Sequence, residues 1–87
     1  MLYLISYDLK KPGQHYTELY EKIKSLGEWI HPLESVWLVK SSLTAEKISN
    51  LLSQYFDKND FHLVIAIKKD YYGFLDPSIW EWIEKRI

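Results

Sequence analysis

The stretch Tyr3-Leu4-Ile5-Ser6-Tyr7-Asp8-Leu9 constrains the fold more than any other part of the chain. Strand side chains alternate between faces, so Leu2 and Leu4 point to one side and Tyr3, Ile5 and Tyr7 to the other. Both sets are apolar. A strand of this kind needs cover on both faces, which places it in the middle of a sheet. Asp8 then stands where the strand leaves the sheet and is the first candidate for chemistry.

The rest of the chain must supply that sheet and its cover. Leu9 to Gly13 is turn-like. Tyr16, Leu19, Tyr20, Ile23 and Leu26 recur at helical spacing, with Glu18, Glu21, Lys22 and Lys24 on the opposite side and Gly27 as the expected left-handed cap. Trp29 to Leu33 contains Pro32 and fits an edge strand, while Ser35 to Lys40 is rich in strand formers; the short link between them predicts a hairpin. Ser41, Ser42 and Thr44 offer N-caps for a helix carrying Ala45, Ile48, Leu51, Leu52 and Tyr55. Asp57 to Asp60 is a polar turn. Phe61 to Lys68 is the last clear strand, with Phe61, Leu63, Ile65 and Ile67 on one face and His62, Val64 and Ala66 on the other. Asp76-Pro77 opens a short helix with the stripe Ile79, Trp82, Ile83, and Trp80 lies off that stripe.

Strand, helix, strand, strand, helix, strand is the order of a ferredoxin-like α+β sandwich: a four-stranded antiparallel sheet with two helices on one face. The chain reads as one domain, residues 1–87, with a core over 1–70 and a C-terminal extension over 71–87. We expect the first and last strands in the middle of the sheet, with the last strand and the Ser35 strand flanking the first. The second sheet face has no cover from the two helices. Either the Tyr3, Ile5, Tyr7 set or the alternate set lies there, met by the C-terminal helix or by another protomer. Four Trp and seven Tyr in 87 residues exceed what one small core hides, and this predicts a homodimer.

Charge is balanced, with 11 basic and 12 acidic residues, and Arg86 is the only arginine. This argues against strong, charge-driven nucleic-acid binding. Without Cys there is no disulfide, thiolate nucleophile or Cys zinc site. No charged segment followed by an apolar run marks a signal peptide, and the longest apolar run, Leu63 to Ile67, is far too short to span a membrane. The expectation is a soluble, cytoplasmic protein with no membrane partner.

Asp8 has two readings: a ligand for a hard cation, or a cap of the turn at Lys10 and Lys11. One carboxylate per chain is too few for a metal, whereas two across a dimer axis suffice. Lys10 and Lys11 stand where they would meet phosphates, and Lys40, Lys68 and Lys69 at strand ends would extend the patch. Ser35 would lie near Asp8 if the first and third strands are neighbours. His15, His31 and His62 fit no metal spacing, Asp57 to Asp60 lacks the glycine and the terminal Glu of a calcium loop, and the four Trp read as core and interface.

Ser6-Tyr7-Asp8-Leu9, Glu34-Ser35-Val36-Trp37-Leu38 and Asn59-Asp60-Phe61-His62-Leu63-Val64-Ile65 together resemble the Cas2 superfamily, the small CRISPR-associated protein and its VapD-like relatives, over roughly residues 1 to 70. The resemblance is to short Cas2-like proteins. It implies a homodimer packed through its sheet faces, with one aspartate per protomer, here Asp8, near the twofold axis. It also implies Mg²⁺ or Mn²⁺ held by the Asp8 pair and cleavage of phosphodiester bonds in RNA or DNA. The alternative within the family is a scaffold or regulator that binds protein or nucleic acid without cleaving it. The family's serine, valine and aromatic element falls on Ser35, Val36 and Trp37. The chain departs from the family in its single arginine and in the segment Asp70-Tyr71-Tyr72-Gly73-Phe74.

Overall fold

The computed structural model describes residues 1–10 and 16–87; Lys11 and His15 lie outside them. Among the described residues the elements are β1 (Leu2–Asp8), α1 (Thr17–Lys24), β2 (Glu28–Leu33), β3 (Val36–Lys40), α2 (Ala45–Ser53), β4 (Phe61–Ala66) and α3 (Pro77–Glu84). The strands form an antiparallel sheet in the order β2-β3-β1-β4, a small α+β arrangement consistent with the ferredoxin-like fold.

β1 is central, as its two apolar faces require, with Ile5 opposite Trp37 of β3 and Val64 of β4. The last strand is not central. The β2–β3 hairpin puts β2 outside β3, so β3 shares the centre with β1 and β4 takes the far edge. Pro32 sits in the other edge strand, where the pairing shifts register between Ile30 and Leu33.

Tyr3, Ile5 and Tyr7 face α1 and α2. They pack with Leu19, Ile23, Trp37, Val39, Ile48 and Leu52 into the main core, all of it buried. Its polar atoms are bonded. Trp37 Nε1 donates to the Tyr7 hydroxyl at 2.9 Å, and the Tyr3 hydroxyl donates to the Leu43 carbonyl at 2.6 Å. Burial pushes the Tyr7 hydroxyl up to about 12, against the opposing pull of the Trp37 N–H. Thr44 is the N-cap of α2, its Oγ1 accepting from Lys47 N at 3.2 Å, while Ser41 Oγ accepts from Leu43 N.

Gly27 is not the cap of α1. The helix ends through Ser25, whose Oγ donates to the Lys22 carbonyl at 2.6 Å. Gly27 marks a close approach instead: a Cβ there would lie 1.9 Å from the carbonyl oxygen of Lys40, on the paired strand.

The second face carries Leu2, Leu4, Ser6 and Asp8 from β1 and Phe61, Leu63 and Ile65 from β4. α3 covers one end of it. Asp76 caps α3 by accepting from Ser78 N at 2.9 Å, and Ile83 buries against Leu2 and Leu38, with Ile30, Ile67, Ile79, Trp80 and Trp82 around them. The end of α3 is held by an Arg86–Glu28 ion pair and by Lys40 Nζ donating to the Arg86 carbonyl at 2.6 Å. α3 does not reach the Asp8 end. There Leu33, Phe61, Leu63 and Ile65 remain exposed.

Candidate functional site

Asp8 ends β1 opposite Phe61, on the face that the two helices of the main core leave free. Its side chain is 69% exposed, and Lys10 Nζ lies 3.6 Å from its Oδ2. An exposed ion pair of this length holds the two groups near one another but adds little to stability. Lys10 Nζ also sits 5.8 Å from the centroid of the Phe61 ring. Ser6, Tyr7, Asp8, Phe61, His62 and Leu63 line a shallow hollow of about 240 Å³ here.

The loop after β1 is tied down by Asp60. Its Oδ1 accepts from Lys10 N at 2.8 Å, and its Oδ2 accepts from Asp57 N at 2.8 Å and from the Tyr16 hydroxyl at 3.0 Å. Partial burial works against the Asp60 charge, but the Lys10 and Asp57 N–H groups and the Tyr16 hydroxyl outweigh it and hold the carboxyl below its ordinary value. Desolvation and the bond to Asp60 push the Tyr16 hydroxyl the other way, upward. One half-buried carboxylate therefore joins the exit of β1, the start of α1 and the turn before β4.

Ser35 belongs to the β2–β3 turn, since β3 begins at Val36. Its carbonyl accepts from Tyr7 N at 3.4 Å, which brings its backbone beside β1 next to Asp8; its own residue is exposed. Asp8, Lys10 and Ser35 thus share one end of the sheet. Lys40, Lys68 and Lys69 do not join them. Lys40 pairs with Leu2, and Ile67 N bonds the Leu2 carbonyl, so these lysines lie at the start of β1, about 20 Å from Asp8 at strand rise.

The two described histidines are engaged apart from each other. His31 stacks on Trp37 at 3.8 Å, and His62 lies 2.7 Å from Ser49 Oγ and stacks on Phe56. Among the described residues no three His, Cys, Asp or Glu side chains gather as a metal site. At this end of the sheet Asp60 is engaged by backbone N–H groups, so Asp8 is the carboxylate left facing solvent, fewer than a cation held by protein carboxylates alone requires. Asp60 and Phe61 were not expected near Asp8. The antiparallel pairing of the first and last strands puts the start of the last strand beside the end of the first, and that was the available signal.

No family model matches the chain, and no curated protein matches it at a significant level. A crystal structure of a hypothetical protein TT1823 from Thermus thermophilus is similar in fold, with a TM-score of 0.57 and 21% identity. The match covers 86% of this chain and 93% of that one. At that identity the likeness is one of fold alone.

Proposed function

We propose that the chain works as a Cas2-like homodimer, packed through its sheet faces, that cleaves phosphodiester bonds in DNA or RNA with a divalent metal held between two Asp8 carboxylates. The observation that carries this reading is the position of Asp8: exposed, and on the rim of the one sheet face that is apolar yet uncovered. A twofold axis at that end of the face brings the two carboxylates together. Their mutual repulsion then favours a cation between them. Bound there, Mg²⁺ or Mn²⁺ neutralises developing charge and makes water a stronger nucleophile. Lys10, already beside Asp8, offers an ammonium to a phosphate, and the Asp60 bond to its backbone N–H fixes where the loop presents it. Lys11 follows in sequence and Ser35 borders the same end.

The test is cleavage of single-stranded RNA, single-stranded DNA and duplex DNA in Mg²⁺ and in Mn²⁺, with Asp8→Asn alongside. Metal-dependent cleavage that falls at least 100-fold in Asp8→Asn is expected. Equal cleavage by the variant, or none by the parent, overturns the enzyme reading. A second reading, a non-catalytic dimeric scaffold or regulator of the same fold, is favoured by the Asp8–Lys10 ion pair, which neutralises the carboxylate within its own chain, and by the balanced charge. A parent dimer without cleavage supports it.

A further inference from the structure

The turn that follows β1 puts the ammonium of Lys10 beside the carboxylate that ends the strand. Lys10 Nζ lies 3.6 Å from Asp8 Oδ2. That is close enough for attraction, yet longer than the roughly 2.8 Å of a charge-assisted hydrogen bond. Both side chains are more exposed than buried, so ions in solution reach them. The backbone under Lys10 is fixed. Its N–H donates to Asp60 Oδ1 at 2.8 Å, and Asp60 is held in turn by Asp57 N and the Tyr16 hydroxyl. The ammonium therefore moves on an anchored stem. It has a second resting place within reach: the Phe61 ring, whose centroid is 5.8 Å away and inside the range of a cation–π contact. Lys10 also borders a hollow of about 250 Å³ with Asp57, Lys58 and Asn59.

Asp8 stands on the rim of the open apolar face, so a second copy meeting that face brings a second Asp8 toward the first. Two bare carboxylates a few ångströms apart repel, most strongly where apolar surface excludes water. Here each chain arrives with Asp8 already matched by its own Lys10, and the two rims together carry no net charge. A divalent cation that reaches both carboxylates supplies the same two positive charges at shorter range. Each ammonium then loses its partner. Phe61 and the neighbouring hollow receive it, and there a phosphate meets it together with Lys58.

We propose that Lys10 is the built-in counter-ion of Asp8: it balances the carboxylate in the metal-free dimer, gives way when a divalent cation enters, and is thereby released toward substrate phosphate. The site is loaded in order, cation first and phosphate second. This rests on the Asp8-paired homodimer proposed above and adds how that site is regulated. It also gives a purpose to an ion pair that otherwise stands against a metal role for Asp8.

The test is the dimer dissociation constant of the full chain, measured by analytical ultracentrifugation at low salt, in EDTA and in Mg²⁺. Three proteins are compared: the parent, Lys10→Gln, and Lys10→Gln combined with Asp8→Asn. The parent should dimerise in EDTA. Lys10→Gln should weaken that dimer about tenfold, the order expected of two like charges a few ångströms apart at a partly solvated surface. Mg²⁺ should restore the Lys10→Gln dimer, and so should adding Asp8→Asn. An unaltered Lys10→Gln dimer overturns the counter-ion role. A weakened dimer that Asp8→Asn fails to restore also overturns it, since Lys10 then acts through Phe61 alone. A parent that dimerises only in Mg²⁺ overturns it as well. Restoration by Asp8→Asn but not by Mg²⁺ overturns the displacement by metal. A parent that is monomeric in both buffers overturns the homodimer itself, and that failure is thereby told apart from the others.

Discussion

On the helix side of the sheet, β1 contributes Tyr3, Ile5 and Tyr7, all buried, and the polar atoms they bring in are hydrogen-bonded. On the other side, β1 contributes Leu2, buried under α3, then Leu4, half-covered, then Ser6 and the exposed Asp8. β4 sharpens the contrast. Its modest side chains, His62 and Val64, face the helices, while Phe61, Leu63 and Ile65 face water. The amphipathicity of β4 is thus inverted with respect to the core of a single chain. A strand built this way has its greater apolar burial still to come, and that is the strongest structural support for a face that meets another molecule.

The contrast can be broken by truncating one side chain on each face. Leu19→Ala, in the fully buried layer, should cost about 2–5 kcal/mol in urea unfolding. Leu63→Ala should change monomer stability by no more than about 0.5 kcal/mol and show its effect only in self-association. Comparable losses at low protein concentration would mean that the two faces are not different in kind.

A smaller effect tests the polar lining of the closed layer. Tyr7→Phe leaves the buried Trp37 Nε1 without an acceptor and should cost about 1–3 kcal/mol by thermal melting at neutral pH. The folded state raises the Tyr7 pKa from 10.0 to about 12, so the contribution linked to its titration is fully present below pH 10 and disappears as pH rises toward 12. The parent should therefore lose stability over that window, and Tyr7→Phe should lose less. Parallel alkaline profiles would disconnect Tyr7 from the effect.

The smallest expected change concerns the loop at the open end. Asp60→Asn should cost about 1 kcal/mol, since the site is partly solvated and the amide keeps one acceptor. The Asp60 carboxyl titrates below its ordinary value in the folded state, so its contribution is present above about pH 4 and is lost as pH falls further. Asp60→Asn should flatten the acid limb of the stability profile measured by circular dichroism. An unchanged limb would show that the tie between the β1 exit and the β4 entry carries no weight.

Much of this molecule was legible in the sequence. Two apolar faces on Tyr3–Tyr7 sufficed to place β1 centrally, and helical spacing located Leu19, Ile23, Ile48 and Leu52 in the core. Alternation fixes which residues share a face but not a strand's rank in the sheet, so β4 was expected at the centre and lies at the edge. The candidate site was less legible for a related reason. Lys40 ends β3, and Lys68 and Lys69 follow the end of β4, as Asp8 ends β1, yet antiparallel neighbours end at opposite ends of a sheet. The same logic brings Asp60 and Phe61, at the start of β4, to Asp8 and Lys10 at the end of β1. Gly27 looked like a helix cap because it follows one; its role depends on the Lys40 carbonyl, which no local pattern announces.

The edge position of β4 has a further consequence. Among the described residues β1 is its partner on one side, and its other side presents free N–H and C=O groups. The opposite edge strand, β2, is a poor template because Pro32 and a shifted register interrupt it. Phe61-His62-Leu63-Val64-Ile65-Ala66 has no proline, glycine or acidic or basic carboxylate or ammonium side chain within it, the composition that self-templating cross-β stacks select. Under heat or crowded expression, β4 is the segment from which fibrous aggregates of this chain would grow, and Asp60 before it and Lys68 and Lys69 after it are the nearest charges set to discourage it.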